Sequence, residues 1–158
     1  MVMTDILELS EQEKLIATEF LEGAISTSLG LTEEDLAAVQ GVANMKLENN
    51  DPHEALKLYT TLVLCAPQNY EYQCCLSNCA MQMQEYTLAL QASSAMISLA
   101  PNDPRGYYFS GAACMSIGYL AEAAEDFADA VDLAQIDGNE LYLAEALRLQ
   151  EQLTNMAS

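Results

Sequence analysis

A regular interval between similar residues constrains the fold of this chain more than any other feature. Ala55, Ala89 and Ala123 are evenly spaced, and Pro67 and Pro101 are separated by the same interval. A repeat of about 34 residues corresponds to one supersecondary unit, which buries its apolar face only by stacking on a neighbouring copy. The sequence therefore predicts a stacked array of similar units.

Each unit is predicted to be a pair of α-helices. The alanine column lets the two helices of a unit approach closely, and proline ends the second helix. Asn50, Gln84 and Gly118 mark the turn between the helices at the same spacing. Asn and Gly tolerate the left-handed conformation that such a turn often needs, whereas Gln does not favour it. Gln135 stands where a third proline would fall. We expect an all-α chain without strands.

The helix pairs resemble the tetratricopeptide repeat, a helix-turn-helix unit that stacks into a solenoid. The resemblance depends on the agreement of the small-residue column with the proline column, and it is nearest in the third unit. The three tandem repeats are predicted at residues 36–69, 70–103 and 104–137, within an array that spans 36–138.

Helical segments are expected on both sides of the array. Residues 139–158 are predicted to form a C-terminal capping helix and tail, because leucines recur there at helical spacing. Residues 1–35 are predicted to be an N-terminal helical segment that opens with a capping box at Ser10–Glu13. Thr32 and Asp35 offer an N-cap for the first helix of the array.

The charge of the chain limits the partners that it can bind. There are 24 acidic residues against 5 basic ones, which gives a formal net charge of −19. Such a field repels phosphate and anionic lipid, so we expect neither nucleic-acid binding nor stable membrane binding. The same charge favours solubility, and it suits partners that are basic or that must be kept soluble.

The sequence also predicts a cytoplasmic location. The N-terminus "MVMTDILELSEQEK" has neither the basic region nor the long apolar run of a secretory signal. No stretch reaches the roughly 18 apolar residues that cross a bilayer. Five cysteines, an odd number, are typical of reduced thiols in a cytoplasm.

No catalytic constellation emerges from the sequence. His53 is the only histidine, so there is no nucleophile–base pair that uses a second one. The segment "LEGAISTSLG" lacks the lysine of a phosphate-binding loop. The acid pairs Glu33/Glu34 and Glu125/Asp126 lack the spacing of a calcium loop. We therefore predict a non-enzyme with no catalytic residues, no cofactor and no metal.

The predicted binding surface is the concave face of the solenoid. In tetratricopeptide arrays, positions 2, 5, 9 and 12 of each unit point into this face from the first helix. The residues at these positions that we assign to the groove are Gln40, Asn44, Leu47, Glu71, Cys74, Asn78, Met81, Arg105, Tyr108, Ala112 and Met115. We call this set the groove.

The groove is mostly uncharged and suits an extended apolar segment. Asn44 and Asn78 occupy one column, and a side-chain amide can both donate to and accept from a peptide backbone. Methionines accommodate varied apolar side chains. The alternative is that Met81 and Met115 only pack between repeats. Arg105 is the one basic residue in the groove, so the carboxylate clamp of heat-shock co-chaperones is absent.

Three cysteines stand close together, at Cys74, Cys75 and Cys79. Cys74 falls in the groove, whereas the other two share a different helix face one turn apart. A free thiol behaves there as a small hydrophobe. Two such thiols without a histidine are a poor zinc site. A thiol-dependent redox or metal protein is nevertheless a rival hypothesis from a different class.

The order of the segments, an N-terminal helical segment, three repeats and a C-terminal helix, is similar to that of the class II chaperones of bacterial type III secretion. Members of that family carry a small-residue segment comparable to "GAIS" before the first repeat. They also have an array start like "DLAAVQGVANMKLENNDPHEALKLYTTL" and a third repeat that opens like "NDPRGYYFSGAACMSIGYLAEA". The resemblance covers about residues 12–150.

This resemblance implies a binding function. Such a chaperone holds an extended segment of a hydrophobic translocator protein in its concave groove and keeps it soluble and secretion-competent, without ATP or catalysis. The expected partner is therefore a hydrophobic translocator in a bacterial cytoplasm. The rival hypothesis is a generic tetratricopeptide scaffold or regulator that is not tied to secretion.

The resemblance also implies a homodimer, because family members often dimerise through the N-terminal helix. The candidate interface residues are Ile16, Phe20, Leu21 and Ile25. The alternative is that these four side chains pack on the first repeat of their own chain.

Overall fold

A computed structural model describes residues 29–158, which form seven α-helices and no strand. The predicted all-α class is confirmed for this part of the chain. The predicted N-terminal capping box and the four candidate dimer residues lie outside the described residues. The helices, numbered in chain order, are α1 Glu33–Glu48, α2 Pro52–Cys65, α3 Tyr70–Gln82, α4 Tyr86–Leu99, α5 Pro104–Ile117, α6 Leu120–Asp137 and α7 Glu140–Met156.

The helices stack as successive antiparallel pairs. Each helix packs against the next one in the chain, and α5 also packs against both α3 and α7. The first helices of successive units are therefore neighbours, as expected when they line one face of a solenoid. The final helix α7 occupies the place that the first helix of a fourth unit would take.

Polar side chains begin most of the helices. Thr32 and Asp35 form the predicted N-cap of α1, and the structure shows a full capping box there, in which each side chain accepts from the backbone N–H of the other residue at 2.8–3.2 Å. Four further N-caps accept a hydrogen bond from the first turn of their helix: Asp51, Asn69, Asp103 and Asn139.

The turn inside each unit adopts the left-handed backbone conformation that the sequence indicates. The φ angle is 57° at Asn50, 60° at Gln84 and 91° at Gly118. Gln84 is the one of these three whose side chain does not favour this region, so the second unit carries local backbone strain.

Small residues set the distance between the helices. Ala55, Ala89 and Ala123 are completely buried. A Cβ atom added at Gly111 would stand only 2.7 Å from the ring of Phe127, which means that α5 and α6 approach more closely than alanine would allow. The small-residue column is therefore a packing requirement of each helix pair.

The missing third proline changes the length of one helix. The helices α2 and α4 have 14 residues each and end before Pro67 and Pro101. With Gln135 in the third slot, α6 continues for 18 residues to Asp137 and is capped by Gly138, whose φ is 72°. None of the helices between residues 29 and 158 combines the length and apolar character needed to cross a membrane.

The apolar core runs along the array. Tyr59 and Leu62 of the first unit are buried in a cluster that includes Leu76 of the second unit, and Phe127 is buried in the third. Leu149 and Leu153 of α7 complete the core at the C-terminal end. Burial of each such side chain contributes about 1.5–3 kcal/mol relative to exposure. The capping helix is therefore an integral part of the core.

Relief of strain at Gln84 provides a test of the turn. We expect Gln84→Gly to raise the free energy of unfolding by about 0.5–1 kcal/mol, because glycine adopts positive φ without a steric cost. Chemical denaturation followed by circular dichroism measures this difference. The matched control is Gln91→Gly on the exposed side of α4, which should destabilise by about 1 kcal/mol. A decrease of similar size in the free energy of unfolding of Gln84→Gly would contradict the left-handed conformation of the turn.

A half-buried carboxylate predicts a pH dependence. The Ser110 hydroxyl donates to Asp126 at 2.6 Å. Burial raises the pKa of Asp126 despite this hydrogen bond, and the neighbouring Asp129 raises it further. A raised pKa in the folded state means that the native protein binds the proton more tightly than the unfolded chain. The ionised carboxylate therefore lowers stability as pH rises through that pKa.

We expect Asp126→Asn to raise the melting temperature at pH 7, because Asn still accepts the bond from Ser110 without a buried charge. The advantage should shrink below about pH 4, where aspartate is protonated in the unfolded chain too. Melting curves from pH 3 to 8 measure this. Asp132→Asn, on the exposed side of α6, removes a charge without changing the buried pair or its neighbour Asp129. An equal rise in melting temperature in both variants would show that the effect comes from the lower net negative charge of the chain and not from the buried carboxylate.

Candidate functional site

The groove residues lie on the first helices α1, α3 and α5, and they differ in accessibility. Asn44, Glu71 and Asn78 are exposed, whereas Ala112 is buried in the core and offers little surface. The other groove residues are partly buried: Gln40, Leu47, Cys74, Met81, Arg105, Tyr108 and Met115. Their assignment as binding residues stays a prediction.

Asn44 is held in position by a residue that the sequence interpretation did not assign to the site. The hydroxyl of Tyr59, a buried side chain of α2, donates to Asn44 Oδ1 at 2.7 Å. Burial raises the pKa of Tyr59 to about 12, so this hydroxyl keeps its proton at neutral pH. Because Oδ1 already accepts the hydrogen bond from Tyr59, the amide nitrogen is the group of Asn44 that is left to donate to a ligand.

The equivalent support is missing in the second repeat. Ser93 stands one repeat length after Tyr59, but its hydroxyl donates to the carbonyl of Leu90 at 3.0 Å. Asn78, in the same column as Asn44, therefore has no brace of this kind and is exposed. The two asparagines share a register position but differ in how firmly they are oriented.

Arg105, the basic residue of the groove, is engaged by two carboxylates. Its guanidinium donates to both oxygens of Asp103 at 2.9–3.2 Å and to Glu71 at 3.2 Å. The guanidinium also lies 4.8 Å from the ring centre of Tyr70. The hydrogen bonds to Asp103 raise the pKa of Arg105 against the effect of burial. Although burial opposes it, the hydrogen bonds from Arg105 keep the pKa of Asp103 below its usual value.

This network cancels the positive charge at the edge of the groove. One cation faces two anions, and the guanidinium bonds to carboxylate oxygens on both sides. A ligand carboxylate would have to displace Glu71 or Asp103 to reach Arg105. The groove therefore offers no free positive charge among its described residues.

The cysteines of α3 serve in packing and stay protonated. Cys79 is completely buried, and Cys75 accepts a hydrogen bond from the Gln40 amide with an N···S distance of 3.8 Å. Burial raises the pKa of Cys74 and of Cys79 to about 11. Neutral thiols are poor nucleophiles and poor metal ligands. Within residues 29–158, no three His, Cys, Asp or Glu side chains are grouped so that they could hold a metal ion.

An aromatic cluster closes the C-terminal end of the groove. The rings of Tyr108 and Tyr142 meet edge to face, with ring centres 5.2 Å apart. Tyr108 also contacts Phe109 at 5.2 Å. Tyr142 belongs to α7, which the leucine spacing predicts only as a capping helix. Tyr142 stands one repeat length after Tyr108, and this spacing is the signal that would have placed it beside the groove.

A cavity of about 270 Å³ lies apart from the groove, between α2, α3 and α4. Its lining is uncharged and includes Leu64, whose side chain is 58% exposed, but none of the groove residues. Substitutions in this cavity therefore leave the groove residues unchanged.

No protein-family model matches this sequence, and no characterised protein matches it in a sequence search. Solved structures do match its fold. PcrH of Pseudomonas aeruginosa, in complex with the chaperone-binding region of PopD, superimposes with a TM-score of 0.74 at 23% identity, covering 82% of this chain and 98% of PcrH. The chain has the tetratricopeptide-repeat fold of this chaperone.

Two further structures support the same fold. A type III secretion complex from Aeromonas hydrophila has a TM-score of 0.78 at 17% identity, covering 90% of this chain and 97% of that one. The first tetratricopeptide domain of Spaghetti (RPAP3), bound to the HSP90 peptide SRMEEVD, has a TM-score of 0.70 at 18% identity, with 81% and 98% covered. The predicted tetratricopeptide architecture is confirmed.

The brace on Asn44 can be tested without a ligand. We expect Tyr59→Phe to lower the free energy of unfolding by about 1 kcal/mol, because it removes one partly buried hydrogen bond. Heteronuclear relaxation of side-chain amides should show Asn44 becoming as mobile as Asn78. Tyr119→Phe, at a tyrosine that is 55% exposed, should change neither quantity. Equal mobility of the two asparagines in the unaltered protein would contradict the brace.

Proposed function

We propose that this protein is a specialised secretion chaperone. It binds an extended segment of a hydrophobic type III translocator in its concave groove, and it keeps that client soluble and competent for secretion. The proposal is supported by the shared fold with PcrH, which was solved with the chaperone-binding region of PopD. It assigns no catalytic step, no cofactor and no metal to the chain.

The observation that carries the proposal is the internal neutralisation of Arg105. Because Asp103 and Glu71 engage the guanidinium, the groove presents amide groups, methionines and an aromatic ring without a free cation among its described residues. Such a surface favours an uncharged, apolar segment. The amides of Asn44 and Asn78 can bind its backbone, which contributes affinity without requiring one particular sequence.

The charge of the chain suits the same role. A bound translocator segment covers the groove, while the acidic surface around it remains in water. A net charge of −19 then keeps the complex soluble and disfavours its association with anionic membranes. We propose a cytoplasmic location for the protein on this basis.

A generic scaffold is the alternative, and the likeness to the RPAP3 domain favours it. That domain was solved with an acidic peptide, SRMEEVD. Recognition of such a peptide by this chain would require free basic groups. Lys46 pairs with Asp51 and Lys57 pairs with Glu54, while Arg105 is held by its two carboxylates. The groove chemistry therefore supports the apolar client over an acidic one.

The proposed homodimer is compatible with this function. The candidate interface residues Ile16, Phe20, Leu21 and Ile25 precede α1 in the sequence and are separate from the residues assigned to the groove. The thiol-dependent rival is less well supported, since burial keeps the α3 thiols protonated.

Co-expression tests the proposed function directly. A hydrophobic translocator encoded in the same genome should move from the insoluble to the soluble fraction when this chain is co-expressed, and the two should co-elute on size exclusion. A translocator that is equally soluble with and without the chain would refute the chaperone hypothesis.

Matched variants locate the client on the molecule. Asn78→Ala should weaken client binding about three- to tenfold, because it removes the proposed hydrogen bond between the Asn78 amide and the client backbone. Asn78 is exposed, so its loss should not affect folding. Leu64→Ala alters the separate cavity between α2 and α4 and should leave affinity unchanged. The reverse pattern would place the client outside the groove.

A further inference from the structure

The register of the repeats continues into the C-terminal helix. Gln40, Cys74, Tyr108 and Tyr142 follow one another at a constant interval of one repeat length, so Tyr142 takes the fifth position of a fourth, incomplete unit. Asn139, which caps α7, stands one repeat length after Arg105 in the same way. The helix that ends the solenoid therefore carries the same side-chain register as the helices that line the groove.

Of the groove positions in α7, only the one at Tyr142 keeps exposed surface. Ala146 and Leu149, at the next two groove positions of the fourth unit, are buried against the third repeat. Tyr142 differs from both because it stays partly exposed. Of these three side chains, Tyr142 is thus the one with surface available to a ligand.

The contacts of Tyr142 place it beside the groove of the third repeat. Its ring meets Tyr108 at 5.2 Å and Phe109 at 6.3 Å, both edge to face. Burial raises the pKa of its hydroxyl to about 12, and Cys74 and Arg105 are near enough to influence it. The tyrosine therefore reaches from α7 toward Tyr108, a groove residue of α5.

We propose that Tyr142 is a client-binding residue, so that the groove extends over four helices and the bound segment reaches α7. This inference rests on the proposed function. An apolar side chain of the extended segment packs in the corner formed by the edge-to-face rings of Tyr108 and Tyr142. The Tyr142 hydroxyl forms a hydrogen bond with the backbone of that segment.

The chemistry of this position suits an uncharged extended segment. An aromatic ring contributes a large apolar surface at a low entropic cost, and its hydroxyl adds a polar contact at one end. Arg105 stands nearby, but Asp103 and Glu71 already neutralise it. A tyrosine here therefore favours an apolar side chain next to an accessible peptide group.

The experiment uses the full chain and short overlapping peptides from the translocator that it solubilises. Fluorescence anisotropy with labelled peptides identifies the segment that the unaltered protein binds. We expect Tyr142→Phe to weaken that peptide about three- to tenfold, through loss of one hydrogen bond. Tyr142→Ala should weaken it further, because the ring is lost as well. Tyr119→Ala, at an exposed tyrosine in the turn before α6, is the matched control and should bind normally.

A structural role is separated from a binding role by the melting temperature. Tyr142→Phe keeps the ring contacts, so its melting temperature should stay within about 2 °C of the unaltered value while its affinity falls. Unchanged affinity in both Tyr142 variants, with normal binding by the unaltered chain, would overturn the inference and leave the proposed function standing. Failure of the unaltered chain to bind any peptide would overturn both.

Discussion

Close packing of helices through small residues is the constraint on which this structure depends. Alanines that recur once in every repeat are completely buried between paired helices, and Gly111 admits the ring of Phe127 where even a methyl group would collide. This packing fixes the angle of each first helix relative to its partner. The orientation of every groove side chain follows from it, because a side chain on a rigid helix points where the backbone directs it.

The fold could be predicted from the sequence because periodic small and turn-forming residues report on backbone geometry. The alanine column, the prolines and the Thr32–Asp35 capping box all have local physical meanings, and each appears in the structure. The paired carboxylates around Arg105 and the brace from Tyr59 could not be predicted in this way. Those contacts depend on the side-chain rotamers, and two of them join residues of different helices. The spacing of residues in the sequence does not determine which rotamers meet.

Electrostatics act in this molecule on two length scales with different consequences. The whole chain carries a net charge of −19, which acts over about 8–10 Å in physiological salt. Inside the groove, the single cation is paired at contact distance with two carboxylates. In the proposed function, the global field thus controls solubility, whereas the local pairing controls which ligand the groove accepts. An acidic chain can in this way present an almost uncharged binding surface.

The brace from Tyr59 makes two identical side chains thermodynamically unequal. The amide of Asn44 is ordered when the protein folds, because a buried hydroxyl holds its oxygen. The amide of Asn78 keeps its rotamer freedom, and that entropy is lost only when a ligand arrives. The same hydrogen bond therefore contributes more free energy at the first repeat than at the second. In the proposed function, one end of the groove is therefore rigid and selective in geometry, and the middle adapts to the bound segment.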